Sequence, residues 1–360
     1  MTTQQLFPDV HWVWEGGISF VYEVHPSIVV KVPINDAFEK EQFRNELKIH
    51  EILSRHPPCP SIVRGFLYTD NGIFLEYMRD GPLCSRIQKN HTFDQQTKLV
   101  MKVERLEPLT LRKESMNDLA QAVAFLEALN LAHGDLRPEN ILLNGDQLKL
   151  SDFDCTAEIG TDFEACSAPY GRILNSNEET HRERGSGLLG PQTEQFALGS
   201  IFYFINYGFE VYGDTRLTED PNKHGCKVID LLQNMQFPKL NGDPLIDDII
   251  HKCWHNEYVT IAQLANRTAI LLPERVNPNN TDNETISVPQ CRTDEVILPE
   301  QANAGEPDSS NMGPNCSADD FPSKKAFCES LEKRGLLDML SSGSPEQLGF
   351  SLEWYRYQAS

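Results

Sequence analysis

Residues 131–156 read LAHGDLRPENILLNGDQLKLSDFDCT, and the fold turns on this stretch. Ile141-Leu142-Leu143 and Leu148-Lys149-Leu150 are short apolar runs, and Asn144-Gly145-Asp146-Gln147 between them has turn chemistry. A hairpin returns the chain to its starting point, so Asn140 and Asp152 are expected as neighbours, with Asp135 on the entering loop. Oxygen ligands of that kind suit Mg²⁺, which leaves Asp135 to accept a proton. An ordinary pair of polar turns at a sheet edge would produce the same local pattern.

His133-Gly134-Asp135-Leu136-Arg137-Pro138-Glu139-Asn140 resembles the protein-kinase catalytic loop, H-R-D-L-K-P-E-N, with its Asp-to-Asn spacing kept. Asp152-Phe153-Asp154 falls where the kinase D-F-G stands. The resemblance is to the eukaryotic protein-kinase superfamily, and more closely to a divergent group of fungal kinase-like proteins. It implies an α+β, two-lobed protein-kinase-like fold over residues 10–272. The small β-rich N-lobe would span about 10–79 and the larger helical C-lobe about 80–272.

The residues on either side carry the same resemblance. Residues 12–24, WVWEGGISFVYEV, read as two β-prone pieces around Gly16 and Gly17, which stand in the phosphate-covering loop. Only Gly16 matches a family glycine; Trp14 and Ser19 take the other two positions. Lys31 interrupts the apolar run Ile28-Val29-Val30-Lys31-Val32, where a lysine is costly to bury unless it meets an anion. The resemblance makes it the ligand of the α- and β-phosphates. Residues 38–54 have helical periodicity, and Glu46 is the glutamate that the family pairs with that lysine, with Glu39, Glu41 and Glu51 as local competitors.

Residues 62–66 and 73–78 read as further strands. The second resembles a kinase hinge, whose Glu76 and Met78 backbone would bind the adenine edge in front of Leu75. Residues 111–131 are expected as a helix with Met116, Leu119, Val123, Leu126 and Asn130 along its packed face. Glu194 begins a stretch similar to a buried kinase helix, and takes the place of an aspartate that holds the catalytic loop. Cys253-Trp254 resembles a late-helix pair. Between them, Ala168-Pro169-Tyr170 is the nearest approach to the family's A-P-E.

Composition bounds the rest. The chain has 360 residues with 39% hydrophobic content, as a globular protein has, and a formal charge of −21 that argues against nucleic-acid or anionic-membrane partners. Nine scattered cysteines without C-x-x-C spacing argue for reduced thiols. No apolar run approaches membrane-spanning length, so the cytoplasm or nucleus is the expected location. Residues 273–323 read as a disordered polar linker, and 324–360 as a helical tail too apolar to stay free. That tail is expected to dock in cis or on a partner.

The functional expectation is an ATP- and Mg²⁺-dependent kinase of the serine/threonine type acting on a protein substrate. Lys31 and Glu46 would grip ATP, Asn140 and Asp152 the metal, Asp135 the acceptor hydroxyl, and Arg137 the γ-phosphate region. Three departures point to the alternative of a pseudokinase that binds ATP as an interaction module: Gly134 for arginine, Asp154 for glycine, and the lost loop glycines. A small-molecule phosphotransferase, whose families also use an H-G-D loop, is a further alternative.

Overall fold

The computed structural model describes residues 3–162, 166–172, 187–272 and 320–358. Residues 273–319 of the linker expected at 273–323 lie outside the described residues, as do 163–165 and 173–186. Five strands form an antiparallel sheet in the order β1-β2-β3-β5-β4: β1 His11–Glu15, β2 Ser19–His25, β3 Ile28–Pro33, β4 Gly65–Thr69 and β5 Gly72–Glu76.

Side-chain alternation gives this sheet two occupied faces. Ile28, Val30 and Val32 of β3 face one core, with Tyr22, Val24 and Phe74 from the neighbouring strands. Val29 and Lys31 face the other way and line a cleft, as does Val21, which pairs with Lys31 across the β2–β3 ladder. The lysine therefore interrupts the run without interrupting the core.

Helix α1 (Ala37–Ser54) begins where the Asp36 carboxylate accepts from the Phe38 amide, and Phe43 and Leu47 pack on Ile73 of the sheet. The opposite face is covered by the chain's C-terminal part, α6 (Phe321–Lys333) and α7 (Leu336–Leu340). Cys328, Leu331, Leu336, Leu337 and Leu340 are buried there, followed by Phe350. The chain up to Leu272 and the segment from Phe321 belong to one compact unit. The first of these helices starts at Phe321, three residues before the expected boundary at Lys324.

The helical lobe is organised around α2 (Leu109–Ala128) and α3 (Pro191–Tyr207). Met116, Leu119, Val123 and Leu126 of α2 are fully enclosed, and so is most of α3. Gly199 of α3 meets α4 (Pro244–Trp254) so closely that a Cβ there would lie 2.7 Å from Cys253 Cβ. Helix α5 (Ile261–Ala269) packs on α2 and closes the lobe. Among the described residues no helix is long and apolar enough to cross a membrane.

Two expectations from local pattern are corrected. Asn130 is exposed, lies beyond the end of α2 and has a positive φ of 60°, so it caps the turn and takes no part in the packed stripe. The strand expected at 62–66 is displaced to Gly65–Thr69. The Val63 amide donates to Leu150 O and the Leu150 amide to Ser61 O, so residues 61–63 are tied to the hairpin of the other lobe.

Candidate active site

The hairpin that organises the site consists of β6 (Ile141–Asn144) and β7 (Gln147–Leu150), in register from Ile141↔Leu150 to Asn144↔Gln147. Gly145, at φ 61°, takes the left-handed conformation that so tight a connection demands. At the hairpin's open end the Ser151 amide donates to Asn140 O at 2.9 Å, which brings Asp152 beside the catalytic-loop segment.

The loop before the hairpin is held from beneath. Glu194 of α3 is buried, and its carboxylate accepts from the His133 amide at 2.8 Å and the Gly134 amide at 3.2 Å. Burial raises the Glu194 pKa, against the opposing pull of His133 and those two amides. Gly134 has φ 79°, and a Cβ there would stand 2.6 Å from Cys155 O. An arginine at this position would meet backbone as well as an unfavourable φ, so the departure from H-R-D has a local steric cause. His133 Nε2 lies 3.0 Å from Ser151 O, and its ring packs on Phe153, whose other edge meets His50 of α1. One column of rings thus links the loop, the D-F-D segment and the helix that carries Glu46.

Lys31 Nζ lies 2.7 Å from Glu46 Oε2 and 2.5 Å from Asp152 Oδ1. Burial alone would lower the lysine pKa, but Asp152 and Glu46 outweigh it and hold the ammonium above its ordinary range. Burial would likewise raise Glu46; Lys31 first, and then His50, hold its carboxyl down. Of the four candidate glutamates only Glu46 is buried; Glu41 and Glu51 lie exposed on other sides of the helix and Glu39 is half-buried.

Asn140 Nδ2 donates to both Asp135 O and Asp135 Oδ2 at 2.9 Å, which leaves Asn140 Oδ1 directed elsewhere. Arg137 Nε lies 3.1 Å from Asp135 Oδ2. These groups share a cleft of about 460 Å³ between the lobes with Gly16, Gly17, Glu76 and Met78. Glu76 is further tied to Lys149 of the hairpin at 2.6 Å. All the residues expected at the site thus line one cleft.

A metal is tested by the donors present. Among the described residues no group of three His, Cys, Asp or Glu side chains forms a closed metal cage. Mg²⁺ does not need one: it is commonly held by one or two carboxylates together with substrate phosphates and water. The Asn140 amide oxygen and Asp152 carboxylate are donors of the required hard type.

Sequence reasoning missed a number of the lining residues, and three of them bear on the chemistry of the cleft. Asp154 also faces the cleft, and burial first and Asp152 second raise its pKa. Trp14 was singled out only for replacing a glycine, yet it lines the opening. Tyr357, near the C-terminus, lines the same space, and no local signal in its segment points there.

A small β-sheet lobe over a helical lobe, with a buried Lys–Glu pair facing an Asp…Asn loop, defines the protein-kinase class. The chain belongs to the protein kinase domain family, whose profile matches residues 15–263. It is 26% identical over 227 residues to the probable serine/threonine-protein kinase FMP48 of Saccharomyces cerevisiae, covering 56% of this chain and 59% of that one. It is 30% identical over 177 residues to the human phosphorylase b kinase gamma catalytic chain, liver/testis isoform, covering 47% and 39%. Against the dual specificity protein kinase Ttk of Danio rerio it is 22% identical over 323 residues, covering 85% and 31%. The chain therefore spans less than two thirds of the length of each of these relatives.

Proposed function

We propose that the protein is an ATP- and Mg²⁺-dependent protein kinase of the serine/threonine type. The observation that carries this reading is the buried Lys31–Glu46 pair, set within reach of Asp152 and in one cleft with Asp135 and Asn140. Lys31, oriented by Glu46, would bind the α- and β-phosphates, and the backbone of Gly16 and Gly17 would cover them. The Glu76 and Met78 backbone would hold the adenine edge. Asn140 and Asp152 would hold Mg²⁺, which when bound neutralises charge on the phosphates.

Asp135 orients the acceptor hydroxyl and takes its proton as the new O–P bond forms and the bond to the leaving ADP oxygen breaks. Arg137, beside Asp135, places positive charge near the γ-phosphoryl group. On this reading the C-terminal segment acts in cis, supported by its burial against the sheet.

The pseudokinase is the second reading, favoured by Trp14 in place of a loop glycine and by Asp154 in the cleft. Two measurements separate them. Mg·ATP should raise the melting temperature of the wild-type chain, and Lys31→Met should remove most of that shift. Asp135→Asn should leave the shift nearly intact while phosphorylation of a generic protein substrate falls about 10²-fold or more. ATP binding without transfer to any protein would leave the pseudokinase, and no thermal shift at millimolar Mg·ATP would sink both readings.

A further inference from the structure

The last turn of the chain, Trp354–Gln358, reaches the mouth of the cleft. Its path is anchored on both sides of the sheet edge. The Glu353 amide donates to Trp12 O of β1 at 2.7 Å. Arg356 Nε and Nη2 reach the two oxygens of Glu23 at 2.9 and 3.2 Å, and the Tyr77 hydroxyl donates to Arg356 O at 3.2 Å. Glu23 is only 3% exposed, and Arg79 is its other partner, at 3.1 Å. A buried carboxylate is tolerated only when paired, so the tail supplies half of what Glu23 requires.

These anchors aim Tyr357. Its ring centroid lies 5.9 Å from that of Trp14 and 5.7 Å from that of Tyr77, tilted to both. Gly81, at φ 75°, admits it closely: a Cβ there would be 3.0 Å from Tyr357 Cδ1. Burial first, and then Tyr77 and Asp152, raise the phenol's pKa, while Lys31 pulls it down.

We infer that Tyr357 is a nucleotide-contacting residue, the C-terminal turn completing the wall of the cleft against which the purine and ribose lie. The inference rests on the kinase reading above. Tyr357 is one of the residues lining a cleft that holds about 460 Å³ of open space with the tyrosine in place. The described hydrogen bonds that tie Glu353 and the turn to the rest of the molecule go to His11, Trp12, Glu23 and Tyr77, and none goes to Met78. Tyr357 and Trp14 together offer two aromatic rings at an opening where the phosphate loop keeps only one of the family's three glycines. Ring stacking with a base is worth ~1–3 kcal/mol by alanine substitution in nucleic-acid-binding proteins.

The test uses the full chain, with Mg·ATP titrated by calorimetry into wild type, Tyr357→Ala and Tyr357→Phe. Tyr357→Ala should raise the Kd about tenfold, and Tyr357→Phe should bind like wild type because the ring and not the hydroxyl makes the contact. Melting temperatures without nucleotide should agree within about two degrees, which separates a lost contact from a loosened lobe. Equal Kd for Tyr357→Ala and wild type overturns the inference alone. Tighter binding by Tyr357→Ala overturns it in favour of an obstructing tail. If neither wild type nor either variant binds Mg·ATP, the kinase reading falls and this inference falls with it.

Discussion

Replacing Glu194 probes the support of the catalytic loop without touching the cleft. Its carboxylate is the acceptor for two backbone donors, the amides of His133 and Gly134, both buried. A buried donor left without an acceptor costs ~1–3 kcal/mol. Glu194→Gln keeps the volume and one oxygen, so one amide then faces an NH₂ group and the expected loss is about 1–3 kcal/mol. Glu194→Ala strands both amides, and the loss should roughly double, to about 2–6 kcal/mol.

The pH dependence has a definite sign. Burial raises the folded-state pKa of Glu194 above its unfolded value. The stability contributed by the protonated form is therefore fully present below the unfolded pKa, near 4.5, and is lost as pH rises through the folded value. The wild-type advantage over Glu194→Gln should accordingly be larger on the acid side of that window than above it. Urea unfolding of the three chains gives the ΔΔG values, and amide hydrogen exchange reads the His133 and Gly134 protons directly. If Glu194→Ala costs less than about 1 kcal/mol and both amides keep their protection, the loop is held by something else.

Gly134→Arg, which restores the family's usual residue, should destabilise the chain by ~1–3 kcal/mol because the site needs a positive φ and a Cβ would meet Cys155 O at 2.6 Å. A melting temperature at or above wild type would show that the loop relaxes freely. Leu337→Ala should cost ~2–5 kcal/mol, as expected for a buried leucine packed against the sheet near Gly72. Unchanged urea unfolding would mean that the C-terminal helices do not share the sheet's core.

Much of this molecule was legible in local pattern. The hairpin follows from two apolar runs around turn residues, and the helix bearing Glu46 from a 3.6-residue period. The β3 strand follows from a β-branched run. The likeness of residues 133–140 to a kinase loop named the fold because several side chains with fixed roles recur there at fixed spacing. Signals of this kind lie within a few residues of each other, so they survive in one dimension.

Other features depend on which surfaces meet. Glu46 could not be separated from Glu39, Glu41 and Glu51 by periodicity, since the choice depends on which face of α1 packs on the sheet. The strand expected at 62–66 moved because residues 61–63 pair with Leu150, a partner almost ninety positions away. Gly134 stands where the family has arginine, and only the tertiary structure sets Cys155 O against it. Tyr357 is the extreme case: it meets Trp14, Tyr77 and Gly81 only because the apolar face of the C-terminal helices covers the sheet and sets down the last turn at the cleft. Sequence alone determined the elements and most of the chemical groups. Tertiary packing decided which groups share the cleft, because contacts across hundreds of residues leave no periodic trace in the chain.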